Sequence, residues 1–108
     1  MGASHGIKDP EAFVTEELAK GKVTIFSKSY CPSCAATKQL LASLGVEANI
    51  LELDTLGEPR NGPVQQALEK ITGTISTPQV FGSNGKFVGG NDALQKLHGE
   101  GKLAALLK

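Results

Sequence analysis

Apolar positions change their spacing several times along the chain, and each change marks an element. Phe13, Val14 and Leu18 share one face at helical spacing. Ahead of them Asp9 offers an N-cap, Pro10 suits the first helical position, and Glu11 faces the positive end of the helix dipole. Glu16 and Lys20 are spaced as a favourable i,i+4 pair, and Gly21 is the expected stop. Val23-Thr24-Ile25-Phe26 is β-branched and aromatic and predicts a short buried strand. From Pro32 the spacing is helical again, with Thr37, Leu40, Leu41 and Leu44 on one face and Gly45 closing it. Residues 46–53 read as a second strand. A loop through Leu56-Gly57-Glu58-Pro59 and Asn61-Gly62 then leads to a third helix from Pro63, with a core face of Val64, Ala67, Leu68 and Ile71 and a stop at Thr72-Gly73.

Beyond Gly73 strands return. Gln79-Val80-Phe81 and Lys86-Phe87-Val88 flank Gly82-Ser83-Asn84-Gly85, a hairpin whose turn is supplied by Gly and Asn. Gly89-Gly90 precedes Asn91-Asp92, a polar pair expected to cap a helix through Leu94 and Leu97. Gly99 and Gly101 interrupt that helix before a last turn or two at Leu103, Leu106 and Leu107. The order is α-β-α-β-α-β-β-α. A β-α-β start requires a right-handed crossover and a parallel pair, and the hairpin adds antiparallel edges. The expectation is an α/β fold with a small mixed sheet of four strands flanked by helices.

Composition narrows the class. The chain has 108 residues, 40% apolar and 20% charged, which predicts one globular domain over 1–108, with residues 1–8 as a flexible N-terminus. Eleven basic residues balance eleven acidic ones, which argues against nucleic acid as an obligatory partner. With no Trp and one Tyr, a base-stacking platform is equally unsupported. No apolar run reaches the length of a membrane span, so no membrane partner is expected. Met1-Gly2-Ala3-Ser4-His5-Gly6 lacks the features of a signal or transit peptide, and none of the four Asn residues stands in a glycosylation sequon.

The chemistry concentrates in the only two cysteines, Cys31 and Cys34. A bridge across so short a loop restrains little of the unfolded chain, so the pair is badly placed for stability and well placed for redox chemistry. Zinc needs four ligands, and the remaining candidates, His5 and His98, stand near opposite ends of the chain; no metal is expected. Cys31 is the predicted N-cap of the Pro32 helix, where unpaired N–H groups and the dipole favour an anion. Lys28, three residues upstream, adds positive charge. Cys34, one turn into the helix, is expected to be more buried, less ionised and able to donate to the Cys31 sulfur. The asymmetry assigns attack to Cys31 and resolution to Cys34.

Two further motifs point to a peptide ligand. The residue before Pro78 is forced to be extended, so Thr77 presents its backbone to an extended peptide, a one-residue strand addition. Asn91 and Asp92, at a helix N-terminus, are placed to bind a carboxylate through backbone N–H groups and an amine through the Asp92 side chain. Phosphate-loop, dinucleotide-binding and serine-nucleophile motifs are absent.

Lys28-Ser29-Tyr30-Cys31-Pro32-Ser33-Cys34, Thr77-Pro78 and Gly89-Gly90-Asn91-Asp92 together resemble, in order and spacing, the three signatures of dithiol glutaredoxins. The resemblance runs from about residue 10 to residue 108. It implies a thioredoxin fold, glutathione as co-substrate and a cis peptide at Pro78. It also implies a glutathione site of Lys28, Tyr30, Gln65, Thr77, Pro78, Gly90, Asn91 and Asp92, with Gln65 and Lys28 at the glycine carboxylate. Ser33 departs from the aromatic residue many members carry. Thr74-Ile75-Ser76 replaces a stretch that usually holds an Arg and a Thr, leaving less positive charge near the cleft. The expected activity is glutathione-dependent reduction of mixed disulfides and protein disulfides by a monomer in a reducing compartment, cytoplasmic with a plastid left open. The alternatives are a thioredoxin-type reductase, against which Pro32-Ser33 and the Gly-Gly-Asn-Asp motif speak, and a dimer carrying an iron–sulfur cluster, which a rigid Pro32 disfavours.

Overall fold

The computed structural model describes residues 7–108. The expected flexible N-terminus lies mostly outside them, while Ile7 packs half-buried on the apolar core. The elements are α1 (Pro10–Leu18), β1 (Thr24–Ser27), α2 (Pro32–Ser43), β2 (Asn49–Glu52), α3 (Pro63–Thr72), β3 (Gln79–Phe81), β4 (Phe87–Gly89), α4 (Asn91–Gly99) and α5 (Leu103–Leu106). The strands form one four-stranded sheet in the order β2-β1-β3-β4. β1 and β2 are parallel, and the β1–β3 and β3–β4 pairs are antiparallel.

Two-residue alternation along the central strands divides the core between the sheet's faces. Ile25 and Val80, paired across β1 and β3, pack with Leu40, Leu41, Leu94, Leu103 and Leu107 from α2, α4 and the C-terminal turn. Phe26 and Phe81 point the other way, into Val14, Leu53, Val64, Ala67 and Leu68 beneath α1 and α3. Their rings meet edge to face, with centroids 5.7 Å apart at 81°, a geometry that adds to the area they bury. The mixed sheet with helices on both faces is the expected one.

Helix ends follow local chemistry. Asp9 accepts the Ala12 amide at 3.1 Å as N-cap, with Pro10 behind it. Gly73 closes α3 in the left-handed region (φ 84°), where its amide reaches the Glu69 carbonyl at 2.8 Å. Several expectations fail where an element ends sooner than its pattern. α1 stops at Leu18, so Lys20 lies past the helix and bonds Glu17 at 2.9 Å instead of Glu16. Leu44 is the C-cap of α2, outside the helical stripe, and is exposed. Ile71, in the last turn of α3, is likewise exposed, past the part of the helix that the core covers. β3 has the expected bounds and β1 and β4 are each shifted by one residue, while β2 spans only Asn49–Glu52 of the expected 46–53.

Candidate active site

β1 runs out of the sheet at Ser27, and the chain turns through Lys28, Ser29 and Tyr30 into α2. Cys31 is the N-cap of α2 in an extended conformation, and its sulfur accepts the Cys34 amide at 3.3 Å. Pro32 follows at the first helical position, where no amide is needed. Cys34, one turn in, is fully buried, and its sulfur accepts the Lys28 amide at 3.5 Å. Burial pushes the Cys34 thiol up, and its hydrogen bond to Cys31 adds to the rise; contacts from Lys28, Ser27 and Thr77 oppose it. Both cysteines are free thiols. The expected asymmetry of burial is present, a partly exposed Cys31 at the helix terminus backed by a buried Cys34.

The approach loop is tied down from the side. Asp54, just past β2, accepts the Ser29 amide at 2.9 Å and the Ser29 hydroxyl. Lys28 is 4% exposed, so the loop charge expected from the sequence is a buried ammonium stem, its Nζ 5.9 Å from the centroid of the exposed Tyr30 ring.

Across the cleft, the Thr77–Pro78 peptide is cis and Pro78 is buried at the head of β3. Gly89 has φ 150°, and a Cβ there would stand 2.6 Å from the Ala93 Cβ. A Cβ on Gly90 would come within 3.2 Å of the Pro78 carbonyl. The glycine pair thus lets the start of α4 close against Pro78. The N-cap of α4 is Gly90, without a side-chain cap, which corrects the capping role expected for Asn91-Asp92. The Asn91 Oδ1 instead accepts the buried Thr37 hydroxyl at 3.0 Å and the Gln95 amide at 3.2 Å, locking α4 to α2.

The candidate residues converge on two adjoining cavities. One, of about 370 Å³, is lined by Lys28, Tyr30, Cys31, Gln65 and Thr77, with Arg60, Asn61, Ile75 and Ser76. The other, of about 240 Å³, is lined by Thr77, Pro78, Gly90, Asn91 and Asp92, with Ser33, Ser76 and Ala93. Ser76 and Thr77 belong to both. Cys34 alone of the candidates lines neither, being buried behind Cys31.

Gln65 enters the first cavity already engaged: its Nε2 donates to the Ile75 carbonyl and its Oε1 accepts the Asn61 amide, each at 2.8 Å. Gln79, fully buried, donates to the Thr74 and Ser76 carbonyls at 2.6 and 3.0 Å. These two amides shape the 74–76 loop without adding charge. Sequence reading missed Gln79 and Arg60; a polar residue opening an otherwise apolar strand was the one signal for the former, and the latter had none. A larger, more apolar cavity of about 470 Å³ lies between Val23, Leu44, Val46 and Leu107 and shares no residue with the cleft. Of the histidines weighed as zinc partners, His98 is exposed near the end of α4, and His5 lies outside the described residues.

Comparison with known proteins gives a consistent picture. The family model "Glutaredoxin" matches residues 23–88. Glutaredoxin-C6 of rice is 44% identical over 92 residues, covering 85% of this chain and 80% of that protein. The crystal structure of a wheat glutaredoxin superposes with a TM-score of 0.81 at 43% identity, covering 94% of both chains. That of a buckwheat glutaredoxin–glutathione complex does so with a TM-score of 0.77 at 30% identity, again over 94% of both.

Proposed function

Because this chain belongs to the glutaredoxin family of thiol–disulfide oxidoreductases, with the thioredoxin-like fold such proteins share, we propose that its reductant is glutathione and that Cys31 and Cys34 carry the reaction. The observation that carries this reading is the juxtaposition of Cys31 with two cavities of opposite character. Lys28 and Arg60 border the one that Cys31 opens into, and Asp92 borders the other. Glutathione is an extended tripeptide with a carboxylate at its glycine end and an amine and a carboxylate at its γ-glutamyl end. Thr77, shared by both cavities, is placed to meet the central residue backbone to backbone. The glycine carboxylate goes to Lys28, with Gln65 and Tyr30 beside it. The γ-glutamyl end goes to the N–H groups that open α4 and to Asp92.

The reaction is a sequence of thiolate attacks. The Cys31 thiolate attacks the glutathione sulfur of a mixed disulfide and forms a Cys31–glutathione bond. The substrate sulfur leaves with the bonding pair and takes up a proton. A second glutathione thiolate attacks the same glutathione sulfur, releasing oxidised glutathione and the Cys31 thiolate. With a protein disulfide, Cys31 bonds one substrate sulfur as the other leaves as a thiolate. Cys34 then loses its proton and attacks the Cys31 sulfur, expelling the first substrate sulfur and closing an internal disulfide. Two glutathiones reduce that bond to the free cysteines as they become oxidised glutathione. The pair's potential is expected in the glutaredoxin range of roughly −200 to −230 mV. The substrates are glutathionylated and disulfide-containing proteins, the working form is a monomer, and the setting is a reducing compartment.

The test is reduction of a small glutathione mixed disulfide, followed as NADPH consumption through glutathione reductase. Turnover that scales with glutathione supports the reading. Turnover sustained by thioredoxin reductase and indifferent to glutathione overturns it.

A further inference from the structure

We propose that Arg60 is a specificity-determining residue of the cleft, a second cation that with Lys28 reads a carboxylate one residue beyond the reacting sulfur. The inference rests on the glutathione reading and deepens it. Arg60 lies in the loop between β2 and α3 and lines the cavity of about 370 Å³ into which Cys31 opens. No Asp or Glu lines that cavity. The ion pairs among the described residues use Lys20, Lys38, Lys70 and Lys102, so neither Lys28 nor Arg60 takes part in one. The neighbouring carboxylates are engaged elsewhere: Asp54 holds Ser29, and Glu58 accepts the Val64 amide at the start of α3 at 2.8 Å.

Asp54, whose carboxyl feels the charge of Lys28, lies outside the cavity. The lining itself thus carries two cations, one of them on a stem 4% exposed, and no anion, a setting that favours an anionic ligand. Thr74, Ile75 and Ser76, on the facing loop, carry no charge, so the cationic character of this end comes from Lys28 and Arg60 alone. The loop that presents Arg60 is braced on both sides. Gly62 donates to the Pro59 carbonyl at 3.0 Å, Asn61 donates to Gln65 at 2.8 Å, and Gln66 donates to the Asn61 carbonyl at 3.1 Å. A held loop loses little freedom when the side chain engages. The guanidinium adds what a lysine cannot, a planar fork that matches a carboxylate in two places.

The experiment compares two substrates: the mixed disulfide of glutathione with a small thiol, and the same disulfide built from glutathione esterified at its glycine carboxylate. Arg60→Ala is expected to raise the KM for the acid about five- to tenfold with kcat nearly unchanged, the loss of one charge-assisted hydrogen bond at an exposed position. The KM for the ester is expected to move less than about twofold, and Arg60→Lys is expected to fall between wild type and Arg60→Ala for the acid. Added salt is expected to erode the wild-type preference for the acid. Equal changes for acid and ester, or no change for either, overturn the role of Arg60 while leaving the glutathione reading standing. A wild type inert toward both substrates overturns both.

Discussion

The backbone amide of Cys34 points at the sulfur of Cys31 from 3.3 Å, so the first turn of α2 aims a backbone donor at its own N-cap side chain. The donor is backbone and survives any replacement of the Cys34 side chain. Cys34→Ser is therefore expected to keep substantial reduction of glutathione mixed disulfides, while Cys31→Ser loses it altogether. Reduction of protein disulfides that need an internal resolving step is expected to fail in both. Equal losses for the two variants in the mixed-disulfide assay would contradict the division of labour.

Burial, joined by the hydrogen bond to Cys31, holds the Cys34 thiol above the ordinary cysteine range. Alkylation of the reduced protein at neutral pH should give a single adduct on Cys31, with a second appearing only on unfolding or in strong alkali. The sign for stability follows. An unfolded cysteine releases its proton from about pH 8.5, where folded Cys34 still holds its own, so its contribution is intact below that pH and declines as pH rises further. Denaturant unfolding of Cys31→Ser across alkaline pH is expected to show that decline, and Cys31→Ser/Cys34→Ala to lack it.

Asp54 works on the loop ahead of Cys31. The Ser29 hydroxyl and amide, with the charge of Lys28, hold its carboxyl below the usual carboxylate range. A depressed carboxylate contributes above its unfolded value of about 3.9 and loses its contribution as pH falls through the lower folded one. Exchange of the Ser29 amide is expected to stay slow to below pH 4 and then quicken. Asp54→Ala is expected to quicken it at every pH and to lower kcat about three- to tenfold, short of the ~10²-fold that a 1 Å misplacement costs.

Thr37 and Asn91 are 54 positions apart, yet their hydrogen bond joins the cysteine helix to the helix that opens the second cavity. Thr37→Val removes a buried donor at nearly constant volume and is expected to lower stability by about 1 kcal/mol. It should also raise the KM for glutathione severalfold with kcat little changed. Gln95→Ala, which removes the exposed partner of the same oxygen, is the control and should do much less.

Asp92 is the acidic residue of the second cavity. Since Gly90 is the N-cap and the Asp92 side chain caps nothing, Asp92→Ala is expected to leave the melting temperature within a degree or two. The KM for glutathione is expected to rise about tenfold, equivalent to about 1.4 kcal/mol. An unchanged KM would remove Asp92 from ligand binding.

What the amino-acid order determined by itself is what acts within a few residues. Asp9 before Pro10, Cys31 before Pro32 and Gly73 after Thr72 each set a helix end by local hydrogen bonding, and the structure keeps all three. Adjacent apolar residues on alternating faces, Ile25 with Phe26 and Val80 with Phe81, were enough to imply a sheet covered on both sides. The cysteine pair and its asymmetry were legible for the same reason, since cap and burial lie one turn apart. The surroundings of that pair were not. Placing β1 between β2 and β3 brings Asp54 to Ser29, the Arg60 loop to Lys28, and Asn91 to Thr37. Each partner is 25 to 54 positions away for the two hydrogen-bonded pairs, and no periodicity encodes such a distance. Leu44 and Ile71 make the same point from the apolar side. Their spacing qualifies them for the core, but burial depends on where a neighbouring element stops, and only the packed chain decides that.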